Sequence, residues 1–497
     1  MKVLLLDGYV DEPAQLGVPP YISTYVRYAY GVYAQLGVEP AYLTIDQLRQ
    51  QEDWNVLNDF DHLVVIGGVS VPGKYVGGKP IRLGELERIG TVAREPLKIL
   101  FGPFTSGYTV RGGSGARDVS ERLAQLFDCP VTGNLETFLY HLVRGSNPPE
   151  SIGFDRSVVG QIAPFGAGVV SRHPRFPHVI CEIELSRGCE RKSHCSFCTE
   201  PVFSPGYTER PVSEVLEEID ALAKRGAVHF RLGRAANVLA YGNRAGRPNP
   251  DALERLYAGI RERVPGLRTL HTDNASPITI ATFPTESAQA LEVIARYNTQ
   301  GDSLSLGVES FDPEVSKRNG LGLTPNMALQ AIRIINRVGA FRKPDVPALL
   351  PGLNFLFGLP GESRKTGEIN FEVLRQVAQE GLMLRRINIR QVMVFPGTPL
   401  WEYRNGHALK FFKKEFAEFK KKVRTQLDPV FLQRVFPLGT RLSNVVTEFH
   451  EGNITFGRQL GTYPVLVGIR QKLPLGQQLD VRVTEYGMRS LTGEVVE

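Results

Sequence analysis

Three cysteines set the chemistry of this chain. Cys189, Cys195 and Cys198 fall within ten residues in the spacing Cys-x5-Cys-x2-Cys. Thiolates this close together are soft metal ligands. A structural zinc site wants four closed ligands. His194 directly precedes Cys195, and adjacent side chains rarely close one tetrahedron; no second cysteine pair accompanies the first. Only 5 cysteines occur in 497 residues, so a disulfide scaffold is excluded and reduced, cytosolic thiols are expected. What remains is an iron–sulfur cluster held by thiolates. Three ligands on a four-iron cluster leave one iron open to a substrate or cofactor, which suits catalysis rather than electron storage. Cys129 and Cys181 read as small buried apolar residues.

The elements that must position this loop can be read on both sides of it. Strand patterns at 3–7, 41–44, 62–66 and 98–101 alternate with helical ones such as 23–36. That alternation implies a doubly wound parallel sheet over residues 1–150. Its strand ends carry Asp7-Gly8, Gly67-Gly68 and Gly102-Pro103. Tight turns and ligand cradles both use glycine there, and the turn comes first. Asn147-Pro148-Pro149 leads into an expected connector, 151–178. From residue 180 the alternation resumes. Strands are expected at 180–185, 228–232, 269–273, 303–308, 353–357 and 388–395, and helices at 212–225, 251–264, 285–297, 325–338 and 365–380. Six such units over 179–405 suit a partial (β/α)6 barrel, whose chemistry sits at the carboxyl ends of its strands.

A basic helical segment is expected over 406–450. Within 410–424, Phe412, Phe416 and Phe419 recur at helical spacing among Lys413, Lys414, Lys420 and Lys421. Those lysines read equally as a solvated face and as a phosphate contact. Short alternating strands over 451–497 suggest a small β-barrel-like domain. The net charge, 58 Lys+Arg against 52 Asp+Glu, is only +6 and points weakly to an anionic partner. The longest charge-free stretch, 346–361, holds three prolines and falls short of the ~20 apolar residues of a membrane span. The apolar run after Met1 ends in acids, unlike a signal peptide. A cytoplasmic protein with no membrane partner is expected.

A three-cysteine loop after the first strand of a six-unit barrel resembles the radical S-adenosylmethionine (radical SAM) superfamily. Most of that family uses Cys-x3-Cys-x2-Cys; five residues in the first gap is a known variation. Phe197 matches the aromatic whose backbone meets the adenine. Gly358-Leu359-Pro360-Gly361-Glu362 matches the glycine turn under the adenine, and Glu309-Ser310 the polar pair near the ribose. The turn at 395–400 also matches. The second strand departs: Arg231-Leu232-Gly233-Arg234 replaces the usual Gly-Gly-Glu, leaving Gly233 and Asn237 as candidates for the methionine amino group. The resemblance implies a 4Fe-4S cluster on Cys189, Cys195 and Cys198. It implies S-adenosylmethionine as cofactor, reductive cleavage to a 5′-deoxyadenosyl radical, and a reducing electron donor such as ferredoxin. His271 and Asp273, on the third strand, are expected to face substrate at the mouth.

Asp7 to Pro13, Gly17 to Ser23 and Gly452 to Gly461 resemble an archaeal group of radical SAM proteins. The end of the chain is similar, more loosely, to the RNA-binding barrel of tRNA methylthiotransferases. The resemblance implies modification of RNA, most directly tRNA, by methylation, methylthiolation or a related step. The alternatives are a protein or small-molecule substrate, or a non-catalytic Fe–S or zinc-binding protein. The first domain has only Cys129, so a second cluster is not expected. It admits cobalamin, bound without a His ligand.

Overall fold

The computed structural model describes residues 1–12, 15–68, 77–106, 108–110, 116–117, 120–146 and 153–496. Pro13 and Asn147-Pro148-Pro149 lie outside these. The first sheet has five parallel strands, β1 Val3–Asp7, β3 Ala41–Thr44, β4 His62–Ile66, β5 Leu97–Phe101 and β6 Cys129–Val131, in the order β6-β5-β4-β1-β3. The order reverses between β1 and β4, so the crevice of this doubly wound domain lies beyond Asp7 and Ile66. The glycines there serve the backbone. A Cβ on Gly8 would sit 2.7 Å from the Ile66 carbonyl oxygen, and one on Gly102, at φ +122°, would overlap the Gly67 carbonyl.

Residues 1–150 are not self-contained. Strand β2, Tyr21–Ile22, pairs in parallel with Ile180 and Cys181 of the next domain. Helix α1, Thr24–Ala34, is capped by Ser23 and buried from Thr24 to Tyr33. A helix buried all round belongs to an interior, and this one lies between the domains. Its Arg27 is fully buried and pairs with Glu218 and the Glu182 carbonyl, both in the second domain. The stretch expected as a connector is helical and packed. Arg156–Ile162 and Phe165–Arg172 lie on α1, close enough that a Cβ on Gly31 or Gly166 would overlap backbone.

The second domain is a partial barrel of parallel strands: β7 Ile180–Glu184, β8 His229–Gly233, β9 Thr269–Thr272, β10 Asn274–Ala275, β11 Asp302–Glu309, β12 Leu349–Phe357 and β13 Arg386–Gln391. The third strand breaks at Asp273. Its first half, β9, pairs with β8, and its second half, β10, pairs with β11. The order is therefore that of six strand positions, with β2 added at the edge. Helices α2 Val212–Lys224, α3 Pro250–Arg263, α4 Pro284–Tyr297, α5 Pro325–Gly339 and α6 Thr366–Gln379 alternate with the strands. The sixth strand stops at Gln391, short of the expected 395. Val392 and Val394 leave the ladder and pack against Leu359 and Leu400 instead. One apolar core runs from Val3 and Tyr25 through Ile183 to Leu353 and Phe419, joining both domains.

Helix α7, Lys413–Lys422, a π-helical turn Val423–Leu427 and helix α8, Asp428–Val435, follow. Phe419 packs edge-on 5.7 Å from Phe355 and tilted 5.1 Å from Phe357 on the outer face of β12. Strands β14 Arg441–Glu451, β15 Ile454–Gln459, β16 Leu466–Ile469, β17 Gln478–Tyr486 and β18 Ser490–Val495 form a closed barrel. Closure leaves no free edge. Its first strand lies inside the 406–450 stretch expected as helical, where helix ends at Val435. Among the described residues no helix is long and apolar enough to cross a membrane.

Candidate active site

The cysteine loop leaves β7 through Ser186-Arg187, which pairs with Thr208–Glu209. Buried Arg187 is held by Glu184 at 2.8 Å and by Glu136 of the first domain at 2.7 Å. Gly188 has φ +80°, and a Cβ on it would overlap the Gly206 carbonyl. Only glycine passes there. The loop is then stitched to three parts of the barrel mouth. Ser196 N donates to the Asn319 carbonyl at 3.0 Å, and Leu400 N donates to the Ser196 carbonyl at 2.8 Å. Asn319 Nδ2 donates to the Pro360 carbonyl at 2.8 Å, inside the glycine turn. Arg191 Nη1 lies 3.2 Å from Cys195 Sγ, while its Nη2 reaches the Gly320 carbonyl at 2.8 Å. The sequence alone did not single out Asn319, which lies outside any spaced motif, or Arg191, one of the five residues between Cys189 and Cys195.

All three loop cysteines are free and partly buried. Burial pushes the Cys189 thiol up to about 11 and the Cys198 thiol up to about 12, and raises Cys195 as well. Thiolates at this depth need a strongly positive partner. Among the described residues no three His, Cys, Asp or Glu side chains converge as a single metal ion would require. Three thiolates without a fourth protein ligand suit a four-iron cluster, in which each takes its own iron, whereas a structural zinc site takes four.

Phe197 packs against Val315, Leu359, Val392, Val394 and Leu400, which locks the loop against the glycine turn. That turn is shaped from within. Glu362 accepts from Gly358 N at 2.6 Å and from Leu359 N at 3.2 Å, and burial pushes its carboxyl up to about 7. Gly361 has φ +94°, and a Cβ on it would lie 2.8 Å from the Glu314 carbonyl. Glu362 thus organises the turn through its own amides. Glu309 ends β11 at a bulge with φ +60°, a strained conformation for a non-glycine residue at a strand end. Burial pushes its carboxyl up to about 8. Ser310 turns the other way: its hydroxyl accepts from Asp312 N at 3.1 Å and is buried.

The barrel interior below is polar. Arg231 pairs with both Glu182 and Asp273. Burial pushes Glu182 up to about 8 and Asp273 up to about 7. Glu182 Oε2 and Asp273 Oδ2 are buried without a hydrogen-bond partner. Gly233 makes room for this group, since a Cβ there would overlap the Glu182 carboxylate. Asn237, expected near the methionine amino group, is fully engaged. It donates to Glu190 at 2.8 Å and Thr279 at 3.0 Å, and accepts from Ser276 N at 3.0 Å. Its effect is to hold Glu190, next to Cys189.

His271 does not reach the mouth. Its Nδ1 accepts from Thr462 N at 2.8 Å and its Nε2 faces the Gln300 carbonyl at 3.2 Å. Nδ1 anchors the C-terminal segment, Nε2 is taken up within the second domain, and burial lowers the ring's pKa. Tyr463 joins it, within 2.6 Å of Ser305 Oγ. Lys413, Lys414, Lys420 and Lys421 are exposed on the outer wall, because the phenylalanines of α7 face β12. At the mouth itself, Tyr108 of the first domain donates to the Pro396 carbonyl at 2.6 Å and packs on Phe203 and Phe395.

Fold and loop together are those of the radical SAM class. A sequence model of the Radical SAM superfamily matches residues 183–369. An uncharacterized protein of Archaeoglobus fulgidus is 42% identical, over 99% of this chain and 89% of its own length. The ribosomal protein uS12 methylthiotransferase RimO of Carboxydothermus hydrogenoformans is 24% identical, over 63% of this chain and 67% of its own. A tRNA-2-methylthio-N(6)-dimethylallyladenosine synthase of Ralstonia nicotianae is 24% identical, over 63% and 65%. Among solved structures, the radical S-adenosylmethionine methyltransferase TsrM of Kitasatospora setae superposes with a TM-score of 0.51 at 14% identity, covering 91% of this chain and 79% of that one. The chain belongs to the radical SAM superfamily and is an enzyme. That superfamily uses a 4Fe-4S cluster and S-adenosylmethionine.

Proposed function

We propose that this enzyme modifies RNA, with tRNA as substrate, by methylation, methylthiolation or a related functionalisation of a C–H bond. Cys189, Cys195 and Cys198 would hold the cluster, and an electron donor such as ferredoxin would reduce it in the cytoplasm. When bound, cluster and S-adenosylmethionine supply a carbon radical able to take hydrogen from an unactivated C–H bond. The residues of the chain do the rest. Phe197 and the turn at 358–361 fix the floor for the adenine, and Glu309 presents a carboxyl at the strand end. Gly233 lets the Glu182 carboxylate pack against the β8 backbone, which holds the Glu182, Arg231 and Asp273 group beneath the cofactor's place. Tyr108 closes the mouth against water.

The observation that carries the RNA reading is the line of exposed Lys413, Lys414, Lys420 and Lys421. It runs down the wall from the mouth towards the closed C-terminal barrel. Cationic surfaces of this kind bind phosphate backbones regardless of sequence. The tRNA-modifying relative supports it. A second reading, radical modification of a protein, is favoured by the relative that acts on ribosomal protein uS12. Cobalamin bound to the first domain without a His ligand is tested by the absorbance of the purified protein.

Mass spectrometry of tRNA nucleosides and of protein digests from a deletion strain separates the readings. A nucleoside missing from tRNA, and restored by the gene, is expected. An altered protein with intact tRNA overturns the RNA reading in favour of the second.

A further inference from the structure

A cavity of about 90 Å³ opens where β13, α8 and the C-terminal barrel meet. Its lining includes Arg385, Arg386, Arg489, Asp428, Phe436 and Tyr463. Three arginines thus face one carboxylate, and that carboxylate is already taken. Asp428 lies 2.8 Å from Arg424 and 3.3 Å from Arg489. Among the described residues neither Arg385 nor Arg386 forms an ion pair. Each lies instead over an aromatic face, Arg385 5.0 Å from the Phe436 ring centroid and Arg386 5.0 Å from that of Tyr463. A guanidinium stacked in this way keeps its in-plane N–H groups free for a planar or tetrahedral oxyanion. Arg385 Nε is in fact buried with no hydrogen-bond partner. Burial and the neighbouring Arg386 hold the Arg385 guanidinium down to about 10, while Arg386 itself is exposed at the cavity's rim. The π-helical turn Val423–Leu427 directs Arg424 to the Ile387 carbonyl at 3.0 Å, beside the same cavity.

We propose that this cavity is a binding site for a phosphate-type oxyanion, held by Arg385, Arg386 and Arg489. The space amounts to a few waters, enough for one phosphate group and not for a nucleoside. It lies below the Lys-rich helix and on the barrel wall rather than at the mouth, so it is separate from the cysteine loop. The phosphate can come from free inorganic phosphate or from an RNA backbone. The chemistry of the site is the same for both.

The full-length protein is titrated with inorganic phosphate by calorimetry at constant ionic strength, with chloride as the control. Saturable binding of phosphate alone is expected. Arg386→Gln and Arg489→Gln should each weaken it at least tenfold. Asp428→Asn releases Arg424 and Arg489 and should strengthen it several-fold, an effect that misfolding does not produce. Phosphate that binds no better than chloride, or binding unmoved by all three substitutions, overturns the proposal. Added tRNA that displaces phosphate assigns the site to backbone phosphate, and tRNA that leaves it bound assigns it to free phosphate. The titration does not depend on whether tRNA is modified, so its failure and that of the RNA reading are read in different experiments.

Discussion

The Ser196 hydroxyl donates to Asn319 Oδ1 at 2.7 Å, inside the cysteine loop. Through this bond a single asparagine, 123 residues away in sequence, ties the loop to the glycine turn. Asn319→Ala would leave the Ser196 hydroxyl and the Pro360 carbonyl unmatched. A loss of about 1–3 kcal/mol is expected. Chemical denaturation measures it, and iron retained after desalting should fall even in the folded variant. Unchanged stability and iron content would remove Asn319 from the loop's support.

Iron analysis of anaerobically reconstituted protein tests the ligand set. Cys189→Ala, Cys195→Ala and Cys198→Ala should each lose the cluster and the production of 5′-deoxyadenosine. Cys129→Ala should keep both. Full iron in any loop variant would exclude that residue as a ligand.

Gly461 carries the contact between the C-terminal barrel and His271. A Cβ there would lie 2.7 Å from His271 Nδ1. Gly461→Ala should cost about 1–3 kcal/mol, as overpacked sites do. Limited proteolysis should then cut first near the junction of the two barrels. A protection pattern like that of the parent would show that the seal tolerates the methyl group.

Asp7 gives a pH dependence of stability. Burial pushes its carboxyl from 3.8 up to about 7, against the opposing bonds from Tyr9 N and the Tyr42 hydroxyl. Between those values the folded chain binds the extra proton, so the stabilisation is complete below about pH 4 and fades as pH rises towards 7. The slope is about 1.4 kcal/mol per pH unit for one proton. Asp7→Asn should flatten this slope in urea denaturation between pH 5 and pH 7. An identical slope would place the dependence elsewhere.

Salt dependence tests the lysines. Replacing Lys413, Lys414, Lys420 and Lys421 by Ala should lower the log–log salt slope of tRNA binding by about 3, at roughly 0.7–0.9 per phosphate contact. Exposed substitutions of this kind shift stability by under about 0.5 kcal/mol. An unaltered slope would leave these lysines as a solvated face.

Local pattern alone was enough for much of this protein. Strand runs such as 3–6 and 63–66 are apolar and short because they are buried on both faces, and that pattern survives in any context. The cysteine spacing likewise singles out one loop as the candidate for a cluster, since thiolates that share a cluster can lie on one short turn. Glycines 188 and 361 stand where a Cβ would meet backbone, and Gly358 has the positive φ, +93°, that favours glycine.

What the tertiary structure decided was partnership. His271 looks like a substrate residue from its strand position, yet the residue beneath it comes from 191 positions later in the chain. Asn237 looks like a ligand, yet all its polar atoms are used by Glu190, Thr279 and Ser276. The 151–178 stretch looks like a linker, yet α1 gives its helices a face to bury. Asn319 and the arginines around the 90 Å³ cavity carry no local signal at all. Sequence determines which groups are present and how each segment coils. Which groups meet, which are satisfied and which are left with unbalanced charge depends on distances across the fold, and only packing sets those.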